Sequence, residues 1–414
     1  MLFRCSRYTC ESNKDNQINI YMKKARVIAI YLPQYHPTPE NDKFWGKGFT
    51  EWTNTAKAKP LFKGHHQPHI PADLGFYDLR MPEIREAQAQ MAKDAGIEGF
   101  MYWHYWFGNG KQFLQRIFDE VVDTGKPDFP FCVGWANHSW NNKNWVNTPS
   151  LSKDYYIAEQ TYPGPKDHEA HFYSLLKAFK DHRYIKVDGK LLFYIFDPIN
   201  FPNVTEFMSE WNGLAHKEGL KGFYFVALQE SVQLVRGRFL LRNFLVERKS
   251  YKRKTKDLFD TIFQLGFDGI NSRGLNISRL RNNNLFFSFL KQYLNIVLLK
   301  LFDWQPVDKY DYKKICDNLF VNEEKDENVF PTIIPNWDRS PRAGKRASIW
   351  YNYNPSYFKK QVKKALNIIS NKPEEHRILF LMAWNEWGEG NYMEPDLEYG
   401  HGYLNALKEA LDED

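Results

Sequence analysis

Short apolar runs rich in β-branched and aromatic residues recur along the chain, each bounded by turn residues and followed by a longer stretch with helical spacing. Eight of these runs are predicted strands: Val27–Leu32, Gly99–Trp103, Phe131–Trp135, Leu191–Phe196, Gly222–Ala227, Phe267–Ile270, Thr332–Ile334 and Ile378–Ala383. They do not alternate between polar and apolar positions. That pattern marks strands covered on both faces, as in a parallel sheet flanked by helices. The intervening spacing predicts helices over Met81–Ala95, stopped by Gly96, and over Lys111–Thr124, His168–His182, Val204–Glu218 and Tyr357–Ser370. Eight strand–helix units predict an α/β fold, a (β/α)8 TIM-type barrel with long insertions in its βα loops. A length of 414 residues suits one such barrel.

The insertions interrupt the rhythm. Pro33–Asp78 reads as a long structureless loop, Gln229–Lys256 separates the fifth strand from its helix, and Ser272–Gln305 follows the sixth. Loops of this length in a compact domain are usually functional. Within the last, Leu285–Phe302 is strongly apolar but interrupted by Lys291 and Lys300. It reads as a helix packed on the barrel, because no uninterrupted apolar run reaches the length of a membrane span. Residues 1–21 are polar and read as a loose extension, with Met22 as an alternative start. Residues 22–414 then form a single catalytic domain with a basic and apolar insertion at about 229–305.

Composition excludes disorder and fibrous repeats: 43% of residues are hydrophobic and 26% charged. A net charge of +6 would suggest nucleic acid if it were spread over the surface, but it is not. Residues 236–256 hold nine Lys or Arg against one acid, so this segment carries +8 and the remainder −2. A short charge run is usually a solvated face, and nucleic acid is not an expected partner. Peripheral membrane contact through 236–256 and 285–302 is the alternative. Four cysteines (Cys5, Cys10, Cys132, Cys316) form neither a disulfide framework nor a C-x-x-C pair. A cytoplasmic setting is expected, with membrane association as the variant of it; the oligomeric state is not specified.

Barrel chemistry gathers at the C-terminal ends of strands. Past the first predicted strand come Tyr31, Gln34, Tyr35 and His36, then Trp45, Glu51 and Trp52 in the long loop. The second contributes Tyr102, His104, Tyr105 and Trp106, and the third Trp135, Asn137 and His138. The seventh gives Asn336, Trp337 and Asp338, and the eighth Trp384, Asn385, Glu386, Trp387 and Glu389. Aromatic rings beside Asn, His and acids are what a sugar requires, since its C–H faces stack on rings and its hydroxyls need polar partners. An oligosaccharide or polysaccharide is therefore the expected partner. His65, His66 and His69 lack metal-ligand spacing, and are expected in a polar loop with one or two substrate-facing histidines. Neither a phosphate-cradling glycine motif nor a G-x-S-x-G elbow occurs, so no metal or cofactor is expected.

The sharpest feature is Trp384-Asn385-Glu386-Trp387-Gly388-Glu389-Gly390. Two carboxylates three residues apart, flanked by tryptophans, crowd like charges into an apolar-walled site. One pKa should rise, giving a neutral acid beside an ionised base. Glycosidic bond cleavage needs that division. Gly388 and Gly390 would let the backbone turn to aim both acids inward.

The stretch AWNEWGEG…MEPD…YGHGYLNAL resembles the C-terminal signature of glycoside hydrolase family 99-like, or WbsX-type, proteins of bacterial polysaccharide gene clusters. IAIYLPQYHPTPENDKFWGKGFTEWTN, KPLFKGHHQPHIPADLGFYDLR, GKPDFPFCVGWAN and PTIIPNWDRSPRAGKR resemble the same family, so the likeness runs from about Val27 to Leu411. The related endo-α-mannosidases are (β/α)8 barrels with an N-E-W-x-E motif, matched by Asn385 to Glu389. The resemblance implies an enzyme acting on an α-glycosidic, mannose-configured bond of a cell-surface polysaccharide, by hydrolysis or transglycosylation. It implies retention through a 1,2-anhydro sugar, with Glu386 deprotonating the 2-hydroxyl and Glu389 protonating the leaving oxygen. His138 stands where the family carries an acid, and Phe196-Asp197-Pro198 where it commonly reads Y-R-P. A glycosyltransferase of lipopolysaccharide or capsule synthesis and a non-catalytic glycan-binding protein are the rival readings.

Overall fold

The computed structural model describes residues 24–141, 156–231, 255–282 and 306–413, with 294, 298 and 301. The polar extension, most of the basic segment and most of 285–302 therefore lie outside the described residues. Eight parallel strands form a closed ring: β1 (Arg26–Tyr31), β2 (Gly99–Trp106), β3 (Phe131–Trp135), β4 (Lys190–Ile195), β5 (Phe223–Glu230), β6 (Gly269–Arg273), β7 (Val329–Ile333) and β8 (Ile378–Leu381). Each pairs with its sequence neighbours. The ring closes where β1 meets β8 in the register Arg26↔Ile378 and β2 in the register Ile28↔Gly99. This is the (β/α)8 barrel that the eight apolar runs predict.

The boundaries differ instructively. β2, β5 and β6 run to Trp106, Glu230 and Arg273, beyond their predicted ends, because the ladder continues past the apolar core into residues that face the barrel mouth. Pro33–Asp78 is not structureless. It contains α1 (Pro39–Trp45) and α2 (Glu51–Lys57). The hydroxyl of Thr38 accepts from Asn41 N, and Pro39 occupies the first turn, where a missing N–H costs nothing. The helix after β2 begins late, at α4 (Gln115–Thr124), because Gln112–Phe113 pairs antiparallel with the end of β2.

The outer layer comprises α3 (Pro82–Asp94), α4, α5 (Pro165–Phe179), α6 (Val204–Lys217), α7 (255–264), α8 (Leu275–Asn282), α9 (Tyr312–Asn318), α10 (Pro355–Ile369) and α11 (Gly402–Asp412). The pleat sorts each strand. On β4, Phe193 faces out onto Trp211 of α6, with ring centroids 4.7 Å apart, while Tyr194 faces in. Below the mouth, a buried polar layer spans three strands: Tyr194 Oη donates to Asn271 Oδ1 (2.9 Å), and Asn271 Nδ2 donates to Thr332 Oγ1 (2.9 Å). Buried polar groups satisfied in this way cost little and fix the barrel interior under the cavity.

Candidate active site

The mouth at the C-terminal ends of the strands holds a cavity of about 700 Å³. Ile30, Leu228, Met382, Tyr194 and Asn271 form part of its lining from the strands. Trp45, Trp103, Tyr105, Trp140 and Trp337 supply aromatic wall, and Glu230, Asp308, Glu386, Glu389 and five arginines supply charge. Rings interleaved with hydrogen-bonding groups in a concave site of this size suit a bound sugar chain.

Both motif acids reach this cavity from the turn after β8. Asn385 fixes the turn, its Oδ1 accepting from Leu32 N (2.8 Å) and its Nδ2 donating to Leu32 O (3.1 Å), which ties β8 to β1. The one-turn 3-10 helix Trp387–Glu389 then brings Glu389 to the same cavity beside Glu386. Gly390 ends it with φ +53, the left-handed region where glycine carries no Cβ penalty. Gly388 serves differently. A Cβ there would overlap Glu51 Oε2, so the missing side chain makes room for a third acid.

That acid belongs to an ion-pair chain joining three βα loops. Arg342, on the one-turn helix Ser340–Ala343, donates from Nε and Nη2 to the two oxygens of Glu51 (3.1 and 3.0 Å) and from Nη1 to Glu389 Oε1 (2.5 Å). Arg339 Nε lies 3.3 Å from the same Glu389 oxygen. Burial pushes Glu389 upward, but the guanidinium charges of Arg339 and Arg342 outweigh it and hold the carboxylate below its ordinary range. Glu386 makes no ion pair among the described residues, although the charge of Arg342 lowers it in part. Burial first, and the negative charge of Glu389 second, push it up to about 7, against a 3.4 Å hydrogen bond from Trp103 Nε1. Below about pH 7 the proton that the pair keeps therefore favours Glu386 over Glu389. The resemblance implies the reverse distribution, with the base at Glu386 and the acid at Glu389.

The other expected site residues divide sharply. Gln34, Trp45, Tyr105, His138 and Trp337 line the cavity. His138 is held neutral by burial, its ring 4.8 Å from Phe196. Glu51 is tied to the site through its ion pair with Arg342. The remainder stand behind the wall. Tyr31 bonds Gln88 of α3, Tyr102 packs on Phe118 of α4, and Trp106 Nε1 donates to Asp167. His104 lies 2.9 Å from His171, and burial lowers its pKa to about 3. Trp135 packs on Phe201 and Phe207, while Asn137 clasps the backbone of Asp197. His36 is buried away from the cavity lining, its pKa lowered to about 4 by burial.

Tyr35 Oη accepts from Trp387 N, and Trp52 packs with tilted rings against both Tyr35 and Trp387. Trp384 is fully buried against Phe100. Asn336 accepts from Tyr392 N. Asp338 accepts from His65 Nε2 (2.7 Å), Gln67 Nε2 (2.6 Å) and Ser340 N (2.8 Å), which spends its carboxylate on loop structure. The expectation of substrate-facing histidines in the His65–His69 loop fails for the same reason. His65 is spent on Asp338 and Leu61 N, His69 is buried 3.3 Å from Tyr353 Oη, and His66 pairs with Glu398 on the surface. Among the described residues no group of three or more His, Cys, Asp or Glu is placed to hold a metal.

Residues 27–407 match the family model described as glycosyltransferase WbsX. The chain belongs to this family. Two curated relatives, the WxcX proteins of two Xanthomonas campestris pv. campestris strains, are each 29% identical over 395 residues, covering 94% of this chain and 50% of theirs. The chain spans about half the length of these relatives. A solved structure titled glycoside hydrolase-like protein superposes with a TM-score of 0.55 at 15% identity, covering 96% of this chain and 97% of that one. It shares the fold. An endo-α-mannosidase of glycoside hydrolase family 99 from Bacteroides thetaiotaomicron gives a TM-score of 0.45 at 14% identity, covering 94% and 97%.

In this WbsX-family chain, several cavity residues carry no motif signature of their own. Trp103 and Trp140 sit among other aromatics, and Arg339, Arg342 and Arg346 lie in NWDRSPRAGKR beside the more conspicuous Asn336 and Asp338. Arg273 and Glu230, an ion pair across the ends of β6 and β5, occupy the last strand positions on the inward face. The signal that could have found them is strand alternation carried three residues beyond the predicted runs.

Proposed function

We propose that this chain is a carbohydrate-active enzyme that breaks a glycosidic bond, or transfers across it, using Glu386 and Glu389. The observation that carries the proposal is their opposed electrostatics on one cavity wall: one carboxyl pushed up to about 7, the other held down by two arginines. A glycosidic oxygen leaves only if protonated, and a second, ionised carboxylate must deprotonate the attacking hydroxyl or water. Glu386 holds the proton for the first task, and Glu389 is charged for the second. If the base acts on the substrate's own 2-hydroxyl, the product of the first step is a 1,2-anhydro sugar, later opened by water or an acceptor hydroxyl with net retention. A cell-surface polysaccharide of mannose-like configuration is the substrate the family resemblance favours.

The test uses leaving groups. Glu386→Gln should lose about 10²- to 10⁴-fold on a natural linkage, yet retain most turnover on a glycosyl fluoride of the same sugar, which departs without protonation. Glu389→Gln should be inactive on both. The opposite pattern would give the roles to the reverse residues, and full activity of both variants on the natural linkage would sink the assignment.

Transfer from a phosphorylated donor is the second reading. What favours it is the set of Arg273, Arg279, Arg339, Arg342 and Arg346 in the same cavity, since phosphate is bound by such groups. Donor-dependent growth of a glycan chain would select it over hydrolysis.

A further inference from the structure

The five cavity arginines are not equivalent. Arg273 pairs with Glu230, and Arg342 with Glu51 and Glu389. Arg339 touches Glu389 but makes no hydrogen bond through Nε, which is buried. Arg279, on α8, pairs with no carboxylate among the described residues, and its Nε is also buried without a hydrogen-bond partner. Its guanidinium lies over the ring of Tyr310, 5.6 Å from the centroid.

These two side chains share one wall. The short parallel strands Asp308–Asp311 and Ser348–Tyr351 pair with Asp308 opposite Ser348 and Tyr310 opposite Trp350. Tyr310, beneath Arg279, donates its hydroxyl to Asp308 Oδ2 at 2.8 Å. Arg339 N approaches Ser348 O at 3.5 Å, and Ser348 Oγ is buried with no hydrogen-bond partner. Arg279, Arg339 and Ser348 all line the cavity that holds Glu386 and Glu389. A cation partly withdrawn from water without a counter-charge is costly, and so is a buried donor without an acceptor. The guanidinium also presents a planar fork matched to a carboxylate or phosphate.

We propose that this wall is an anion subsite, with Arg279 as its main contact and Arg339 and Ser348 beside it, so that the glycan taken by the site carries a negatively charged group. The shared chemistry is an anionic oxygen group, either the carboxylate of an acidic sugar or a phosphate on the glycan or its donor. The proposal rests on the reading of the cavity as a carbohydrate site, and binding separates it from the chemistry.

The experiment titrates full-length protein with D-glucuronate, D-glucose and inorganic phosphate, using wild type, Glu389→Gln, Arg279→Gln, Arg279→Lys and the surface control Lys177→Gln. Glucuronate or phosphate should bind wild type and the control alike, and glucose at least about tenfold more weakly; Glu389→Gln, which takes a counter-charge from Arg339, should bind the anions at least as tightly as wild type. Arg279→Gln should lose about tenfold or more, with Arg279→Lys intermediate, while the melting temperature stays near that of wild type. Preference for glucuronate over phosphate identifies an acidic sugar, and the reverse a phosphate. Equal binding by Arg279→Gln and wild type, or equal binding of glucose and both anions, would overturn the subsite. If Arg279→Gln does not fold, Arg279→Lys decides: unchanged anion affinity there counts against the proposal. Anion binding that survives in a protein with no glycosidic activity would sink the catalytic reading and leave the subsite standing.

Discussion

The turn after β8 places two glutamates in opposite surroundings. Glu386 faces the cavity and accepts one hydrogen bond, from Trp103 at 3.4 Å. Glu394, eight residues on, faces the wall and accepts three: from Tyr77 Oη (2.8 Å), Gln88 Nε2 (2.6 Å) and Trp387 Nε1 (2.6 Å). Both are pushed up to about 7, and burial is the first cause in each. A raised pKa therefore does not distinguish a reactive acid from a structural one. The difference lies in the partners. Three donors fill the lone pairs of Glu394 and knit β8 to α3 and the Tyr77 loop. Glu386 keeps open capacity beside a charged neighbour, which is what a proton donor requires.

The largest effect should come from breaking the ion-pair chain on the cavity side. Arg342→Met leaves Glu51 buried without its cation and Glu389 with Arg339 alone, and removal of one partner of such a group costs about 3–5 kcal/mol. The sign with pH follows. Without Arg342 both carboxyls are pushed up, so the folded state holds protons that the unfolded chain releases, and stability falls as pH rises. Urea unfolding at pH 5 and pH 8 should show the greater loss at pH 8. A loss below about 1 kcal/mol at pH 8 would mean that the chain is not the tie between the three loops.

Much of this side was legible in the sequence and much of the wall was not, for a reason visible on β2. The eight apolar runs mark the barrel because burial on both faces selects the same residue types throughout. That same uniformity hides direction. Tyr102, His104 and Trp106 look as suited to a sugar as Trp103 and Tyr105, yet the pleat turns the first three onto α4, α5 and their loops and the last two into the cavity. Aromatic residues beside polar ones occur on both faces, since a buried Tyr or Trp needs a hydrogen-bond partner wherever it packs. The paired acids were readable because two carboxylates between tryptophans have few structural uses. The arginines that set their protonation arrive from β7, about fifty residues earlier in the chain, and no local pattern connects them.

Glu394→Gln breaks the other half of the comparison, with a smaller effect. An amide supplies one acceptor oxygen and a donor that faces another donor, so a loss of about 1–3 kcal/mol is expected. Native Glu394 has a raised pKa, so its stabilising share is complete at low pH and declines as pH rises from the ordinary carboxylate range to about 7. The variant's stability should therefore be flatter over that window. Glu386→Gln, which removes a buried charge with little hydrogen bonding, should be at least as stable as wild type at pH 8. Equal destabilisation by the two substitutions would show that Glu386 is a structural acid as well.

The smallest effect is the most discriminating. The Trp103 N–H donates to Glu386 and so favours its ionised form; Trp103→Phe removes that donor and keeps most of the ring. The carboxyl should then hold its proton to higher pH. If Glu386 is the acid, kcat/KM falls as pH rises through about 7, and the variant's falling limb should lie higher by a fraction of a unit, on the order of 0.5 for a long hydrogen bond. Activity above pH 7 would rise relative to wild type even as sugar stacking on the wall weakens. A limb moving to lower pH, or not at all, would detach Glu386 from proton donation. Glu394→Gln should leave the limb in place, because the two carboxyls share a strand end and a pKa but not a proton.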